Sequence, residues 1–144
     1  MIEGFFFTDD DEPEPCVAVA VELPLLRISS ERLDFVIDTG ASATVLHPYD
    51  LMRRLGMTEE AVMLAIRDGH REKRLGVGGE ANVIVTAARY TFTHTDGRQQ
   101  NLVSSVRVAE PSPTNMYLPP ILGWDLLRNF VIHLDWKEQS VTLS

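Results

Sequence analysis

Residues 35–42 read Phe-Val-Ile-Asp-Thr-Gly-Ala-Ser: three apolar residues, then a carboxylate, a hydroxyl and a glycine. The apolar run places Asp38 at the edge of a dry core, where burial perturbs a carboxylate's pKa and suits it to acid–base chemistry. An ordinary strand ending has the same pattern. There the acid closes an Asx turn on its own backbone and Gly40 supplies the unusual torsions. The tripeptide Asp38-Thr39-Gly40 is by itself a weak signal.

Two other segments bear on the choice. Gly76-Val-Gly-Gly79 reads as the tip of a hairpin, and such a tip suits a mobile lid folding over a cleft. Near the C-terminus, Ile121, Leu122 and Gly123 run directly into a short helix in the stretch ILGWDLLRNF. Other reactive residues have no such company. His47, His70, His94 and His133 show no metal-ligand spacing and read as solvated or capping side chains. Cys16 lies in an apolar strand and reads as a small buried residue rather than a nucleophile. No Lys-Ser/Thr follows the glycines, which argues against a phosphate loop. Ser42, Ser104 and Ser105 lack the elbow of a serine hydrolase. Asp9–Glu12 is a solvated charge run, with a calcium-binding arm as the alternative. Trp124 reads as core or dimer-interface packing.

These residues need a frame. Residues 1–15 end in DDDEPEP and read as an acidic, flexible arm, although Phe5–Phe7 needs something to pack on. Residues 16–144 form the domain. Cys16–Leu23 is a valine-rich strand, and Leu33–Ile37 is a second, read as buried on both faces. Pro48 opens a helix that Gly56 closes. Thr58 caps another, with Val62, Ala65 and Ile66 on one face and Gly69 at its end. Residues 71–75 and 81–86 form the hairpin. Residues 89–94 and 102–108 are strands around Asp96-Gly97, Pro111–Pro120 is a loop, and 130–136 and 141–143 are the last strands. The expected class is mainly β with two or three short helices.

Bulk properties narrow the function. At 144 residues, one domain buries roughly 68–70% of its unfolded surface without disulfide or metal staples. A net charge of −8 argues against nucleic acid or an anionic membrane as partner. A single cysteine excludes an intrachain disulfide and fits a reducing compartment. The N-terminus lacks a basic n-region, and no apolar run reaches membrane-span length, so a cytoplasmic location is expected.

Together the motifs resemble the pepsin and retroviral protease superfamily. FVIDTGAS looks like its catalytic strand and LGVGGEANV like its flap. ILGWDLLRNFVIHLDWKEQSVTLS is similar to the apolar-apolar-glycine motif (Ile121, Leu122, Gly123), helix and final strands of a pepsin lobe. The resemblance spans Cys16 to Ser144. It implies a single-lobe acid-protease β-barrel with a flap hairpin, acting on peptide bonds without cofactor or metal. Two carboxylates about 3 Å apart share one proton and activate a water between them. This chain has one Asp-Thr-Gly and no Asp-Ser-Gly. A homodimer is therefore implied, with Asp38 from each subunit meeting on a two-fold axis.

By the same resemblance, Thr39 would bond across the axis and Gly40 would bond the carboxylate. Ala41, Ser42, Val77, Gly78 and Gly79 would contact an extended polypeptide substrate held like an added strand. The VTLS end, and Phe5–Phe7, are candidates for an intersubunit sheet. Retroviral enzymes usually carry an acid at the position of Ser42 and an arginine at that of Trp124; both are replaced here. Glu80 adds a charge where their flaps tend to be apolar. The alternative is a silent dimerisation or peptide-binding module of the same shape.

Overall fold

The computed structural model describes residues 1–8, 12–76 and 79–144. The strands are β1 (Ile2–Glu3), β2 (Phe5–Phe7), β3 (Glu14–Leu23), β4 (Ile28–Ile37), β5 (Val45–Leu46), β6 (His70–Gly76), β7 (Gly79–Thr93), β8 (Gln99–Ala109), β9 (Ile121–Leu122), β10 (Ile132–Asp135) and β11 (Ser140–Leu143). Two short α-helices interrupt them, α1 (Glu59–Asp68) and α2 (Trp124–Leu127). The chain is mainly β, as its sequence implies.

Eight strands form one sheet in the order β2-β3-β4-β9-β5-β8-β7-β6. A further antiparallel pairing of β3 with β7, from Ala20↔Thr91 to Glu22↔Arg89, closes six of them into a ring. Closure leaves those six without free edges. Beyond the ring, β6 and β7 continue as a hairpin paired out to Gly76↔Gly79. Val77 and Gly78, the centre of the expected flap tip, lie outside the described residues.

Alternation explains the core. Val17, Val19, Val21 and Leu23 of β3 are buried, facing Leu33, Phe35 and Ile37 of β4. Phe35 meets Tyr90 edge-on with ring centroids 6.5 Å apart. Tyr90 is fully buried, and its hydroxyl donates to the Ser105 carbonyl at 3.0 Å, which satisfies the polar end of the ring. The expectation that residues 33–37 are buried on both faces does not hold. Asp34 is exposed and Val36 half-buried, because β4 presents its even positions outward.

The helices follow their signals. Thr58 caps α1 by accepting the Ala61 N–H at 3.1 Å, and Val62 and Ile66 are its buried face. Pro48 begins a turn whose second half is wide: Leu55 N–H reaches the Asp50 carbonyl at 2.8 Å, five residues back. Residues 81–86 and 89–94, read as two strands, belong to one unbroken β7 that ends at Thr93.

The N-terminal segment is built into the sheets. β1 pairs with β11, and β2 pairs with β3 through Phe5↔Cys16 to Phe7↔Glu14. Phe6 packs edge-on against Trp136 at 5.1 Å, the partner that Phe5–Phe7 required. Of the acidic run, residues 9–11 lie outside the described ones. β11 sits between β1 and β10 of its own chain, so the VTLS segment spends both hydrogen-bonding edges internally. The proposed use of that strand between subunits is therefore not open to it. Among the described residues no helix is long and apolar enough to cross a membrane.

Candidate active site

Asp38 follows the last residue of β4, where the strand leaves the barrel. The exit is fixed by β9, which runs parallel to β4 with Val36↔Ile121 and Ile37↔Leu122 in register. The Asp38 N–H continues this ladder to the Leu122 carbonyl at 3.1 Å, and the Val36 N–H reaches the Pro120 carbonyl at 2.9 Å. The Asp38 side chain then turns back, and Oδ1 accepts the Gly40 N–H at 2.8 Å. The reading of the acid as a strand ending is thus met. The carboxylate does close a turn on its own backbone, and it stays half-buried rather than pointing fully into water.

The loop carrying the acid is held at Thr39, Ala41 and Thr44 by the segment around Gly123. Ala41 offers its carbonyl to the Trp124 N–H at 2.9 Å, and the Trp124 indole N–H donates to the Thr39 carbonyl. The fully buried Thr44 hydroxyl accepts the Gly123 N–H at 3.2 Å and donates to Asp125 Oδ1 at 2.7 Å. Asp125 also takes the Thr44 backbone N–H, at 2.9 and 3.0 Å from its two oxygens. Arg107 Nη1 lies 3.9 Å from Asp125 Oδ2 and balances its charge. Burial, and next the Asp125 charge, push the Tyr90 phenol far above its ordinary range, so this neighbour stays neutral.

Gly123 has a steric reason to be glycine. A Cβ there would lie closer than 3.0 Å to the N, C and O atoms of Ala43. The apolar-apolar-glycine motif is therefore a packing device. Ile121 and Leu122 form the ladder to β4, and Gly123 lets the next residue cross directly over the loop.

Among the residues expected to do chemistry, Asp38, Thr39, Gly40, Ala41 and Ser42 share this loop, and Ile121, Leu122 and Gly123 support it. Gly79 begins β7 on the hairpin. Thr39 and Ser42 are exposed. Trp124 is not core: it is 45% exposed, and its ring edge latches the Asp38 loop. The sequence reading missed Thr44, Asp125 and Arg107. An acid in the first turn of α2 was the one visible signal, because it favours the positive end of a helix. Its real partner is a threonine that only the fold brings near. Among the described residues no group of His, Cys, Asp or Glu is arranged to hold a metal ion.

A second buried acid lies on the turn after β5. Asp50 is fully buried, Oδ2 accepts the His47 N–H at 2.9 Å, and Arg54 Nε stands 3.6 Å from Oδ1. Burial pushes this carboxyl up to about 6, opposed by the His47 N–H and by Arg54. His47, expected to be solvated or capping, is buried, with Nδ1 at 2.9 Å from the Pro119 carbonyl. Burial holds its pKa below the usual value, and the bond to Pro119 opposes this. A carboxyl whose pKa rises on folding stabilises the fold below about pH 4, and that contribution is lost as pH rises through about 6. His47 acts oppositely: its contribution is present above pH ~6.5 and lost as pH falls through its lowered value. Asp50→Asn removes only the first effect. From pH 4 to 8, denaturant unfolding should show the variant gaining about 2–3 kcal/mol on the wild type. A constant difference across that range would contradict the account of Asp50.

No family model matches the chain, and no curated protein matches it. Two solved structures are similar to it over most of its length. The EIAV protease complexed with the inhibitor HBY-793 is 23% identical with a TM-score of 0.47, covering 85% of this chain and 93% of that one. The retroviral protease-like domain of Ddi1 from Leishmania major is 16% identical with a TM-score of 0.41, covering 88% and 86% respectively.

Proposed function

We propose that residues 16–144 form one subunit of a homodimeric aspartic endopeptidase, in which Asp38 from each of two chains makes the catalytic pair. The observation that carries this reading is the state of the two acids at the site. Asp38 is half-buried on a tightly supported loop, with its side chain bonded to one backbone N–H. Asp125, the neighbouring acid, is committed to Thr44 and Arg107. In this reading the second working carboxylate is Asp38 of another copy of the chain, across a two-fold axis.

The chemistry follows from proximity. Two carboxylates in contact cannot both ionise, so the pair holds one proton. The ionised oxygen takes a proton from a water between them, and the water oxygen bonds to the peptide carbonyl carbon. The protonated partner donates to the carbonyl oxygen as charge develops there. The C–N bond then breaks as a proton passes to nitrogen, leaving an acid and an amine. The Gly40 N–H fixes the carboxylate orientation, and in this reading Thr39, exposed beside it, bonds the other subunit. On the same reading the β6–β7 hairpin, paired out to Gly76↔Gly79, closes over a peptide laid across Ala41 and Ser42.

Cleavage of a peptide library, read by mass spectrometry across pH ~3–8, tests the proposal. A pair that needs one proton gives a bell-shaped profile, failing when both carboxylates are protonated and again when both ionise. A rate still rising above pH ~9 would contradict it.

A further inference from the structure

The outward face of β4, the strand that leads into Asp38, carries a cleft. Side chains alternate along a strand, so Asp34 and Val36 point outward while Leu33, Phe35 and Ile37 fill the core, and Asp38 follows directly where β4 ends. A cleft of 680 Å³ opens over this outward face, with Asp34 and Val36 in its floor. One wall is Tyr117, Leu118 and Pro119, the loop that leads into β9. That wall is anchored to the site, because Pro120 accepts the Val36 N–H at 2.9 Å and Pro119 meets buried His47 at 2.9 Å.

The lining joins aromatic rings to negative charge. Tyr49 and Tyr117 lie with ring centroids 5.6 Å apart, and Phe7 adds a third ring. Glu12, Glu14 and Asp34 supply three carboxylates against the single guanidinium of Arg54. Arg54 already has Asp50 at 3.6 Å, and its guanidinium sits 5.9 Å over the Tyr49 ring. Among the described residues no cation pairs with the three acids. Their fields converge on the cleft. Cys16, which also lines it, has its thiol pushed up to about 11, by burial first and then by Glu14 and Asp34. Arginine over Tyr49 shows that these rings accept a guanidinium face.

We infer that this cleft selects a basic side chain, arginine or lysine, in the extended peptide on which Asp38 acts. The inference rests on the reading of Asp38 as a catalytic carboxylate. Asp38 lies four residues beyond Asp34, about 13 Å at the rise of a β-strand. An extended substrate lying over this face rises by about the same amount per residue, so the selected residue stands about two to four positions from the scissile bond. The acids give direction and the rings give contact area. An apolar side chain gains only the second.

The test separates binding from turnover. Protein carrying Asp38→Asn is titrated with decapeptides in which arginine, or its neutral isostere citrulline, is walked along the chain. At one or two positions the arginine peptide should bind about tenfold tighter at low salt. The advantage should shrink at 0.5 M salt, and in Asp34→Asn and Glu14→Gln the arginine-to-citrulline ratio should fall towards 1. Equal affinity of the two series, an advantage indifferent to both variants, or binding of neither series would overturn the inference. Wild-type cleavage of the same peptides keeps the two readings distinct. Turnover with no basic preference removes the inference and leaves the protease. A preference in binding with no turnover by the wild type keeps the cleft's selectivity and removes the protease.

Discussion

Asp38→Asn should lower peptide cleavage by at least about 10²–10⁴-fold, the usual share of a positioned acid–base group, while the fold is retained. The substitution replaces one carboxylate oxygen by an amide nitrogen of similar size. Asn Oδ1 still accepts the Gly40 N–H that Asp38 accepts at 2.8 Å, so the turn persists. The ladder from Asp38 N–H to the Leu122 carbonyl is backbone and is untouched. What disappears is the charge that takes a proton from water. Cleavage assays beside thermal unfolding check both halves. Turnover retained in a well-folded variant would remove Asp38 from the mechanism.

Gly123→Ala should be strongly destabilising. Its Cβ would enter the space of three Ala43 backbone atoms, and Ala43 is itself buried at 4% exposure, so the loop has no open side to yield into. Relief requires pulling α2 from the loop that carries Asp38. That movement loosens the Gly123 N–H bond to Thr44, and with it the Thr44–Asp125 pair. Overpacking plus a broken buried bond costs about 3 kcal/mol or more. In a chain of 144 residues that lowers Tm by about 10 °C. Activity should fall further than stability, because the displaced residues position the catalytic acid. A variant with unchanged Tm would show that the crossing at Ala43 is looser than described.

Both effects were partly legible in the sequence. The apolar run before Asp38 and the pair before Gly123 are local patterns, and the strand ends they announce form where they were read, while the glycine-tipped hairpin is paired as far as Gly76↔Gly79. Thr58 and α1 need only neighbours in sequence to be read. What was hidden depends on distant partners. Thr44 has nothing in its own segment to distinguish it, and its role comes from Asp125, 81 residues away. His47 read as a solvated or capping side chain and Asp50 drew no notice, yet the fold buries both, His47 against the Pro119 carbonyl. The N-terminal acids suggested an arm because composition does not register that β11 leaves an edge for β1 to fill.

The central claim is that one active site needs Asp38 from two chains. Mixing wild-type and Asp38→Asn protein at constant total concentration, with time for subunits to exchange, tests it most directly. If both acids are required, cleavage falls as the square of the wild-type fraction, so an equal mixture retains about a quarter of full activity. A linear fall, with half the activity in the equal mixture, would mean that each chain works alone and would contradict the account.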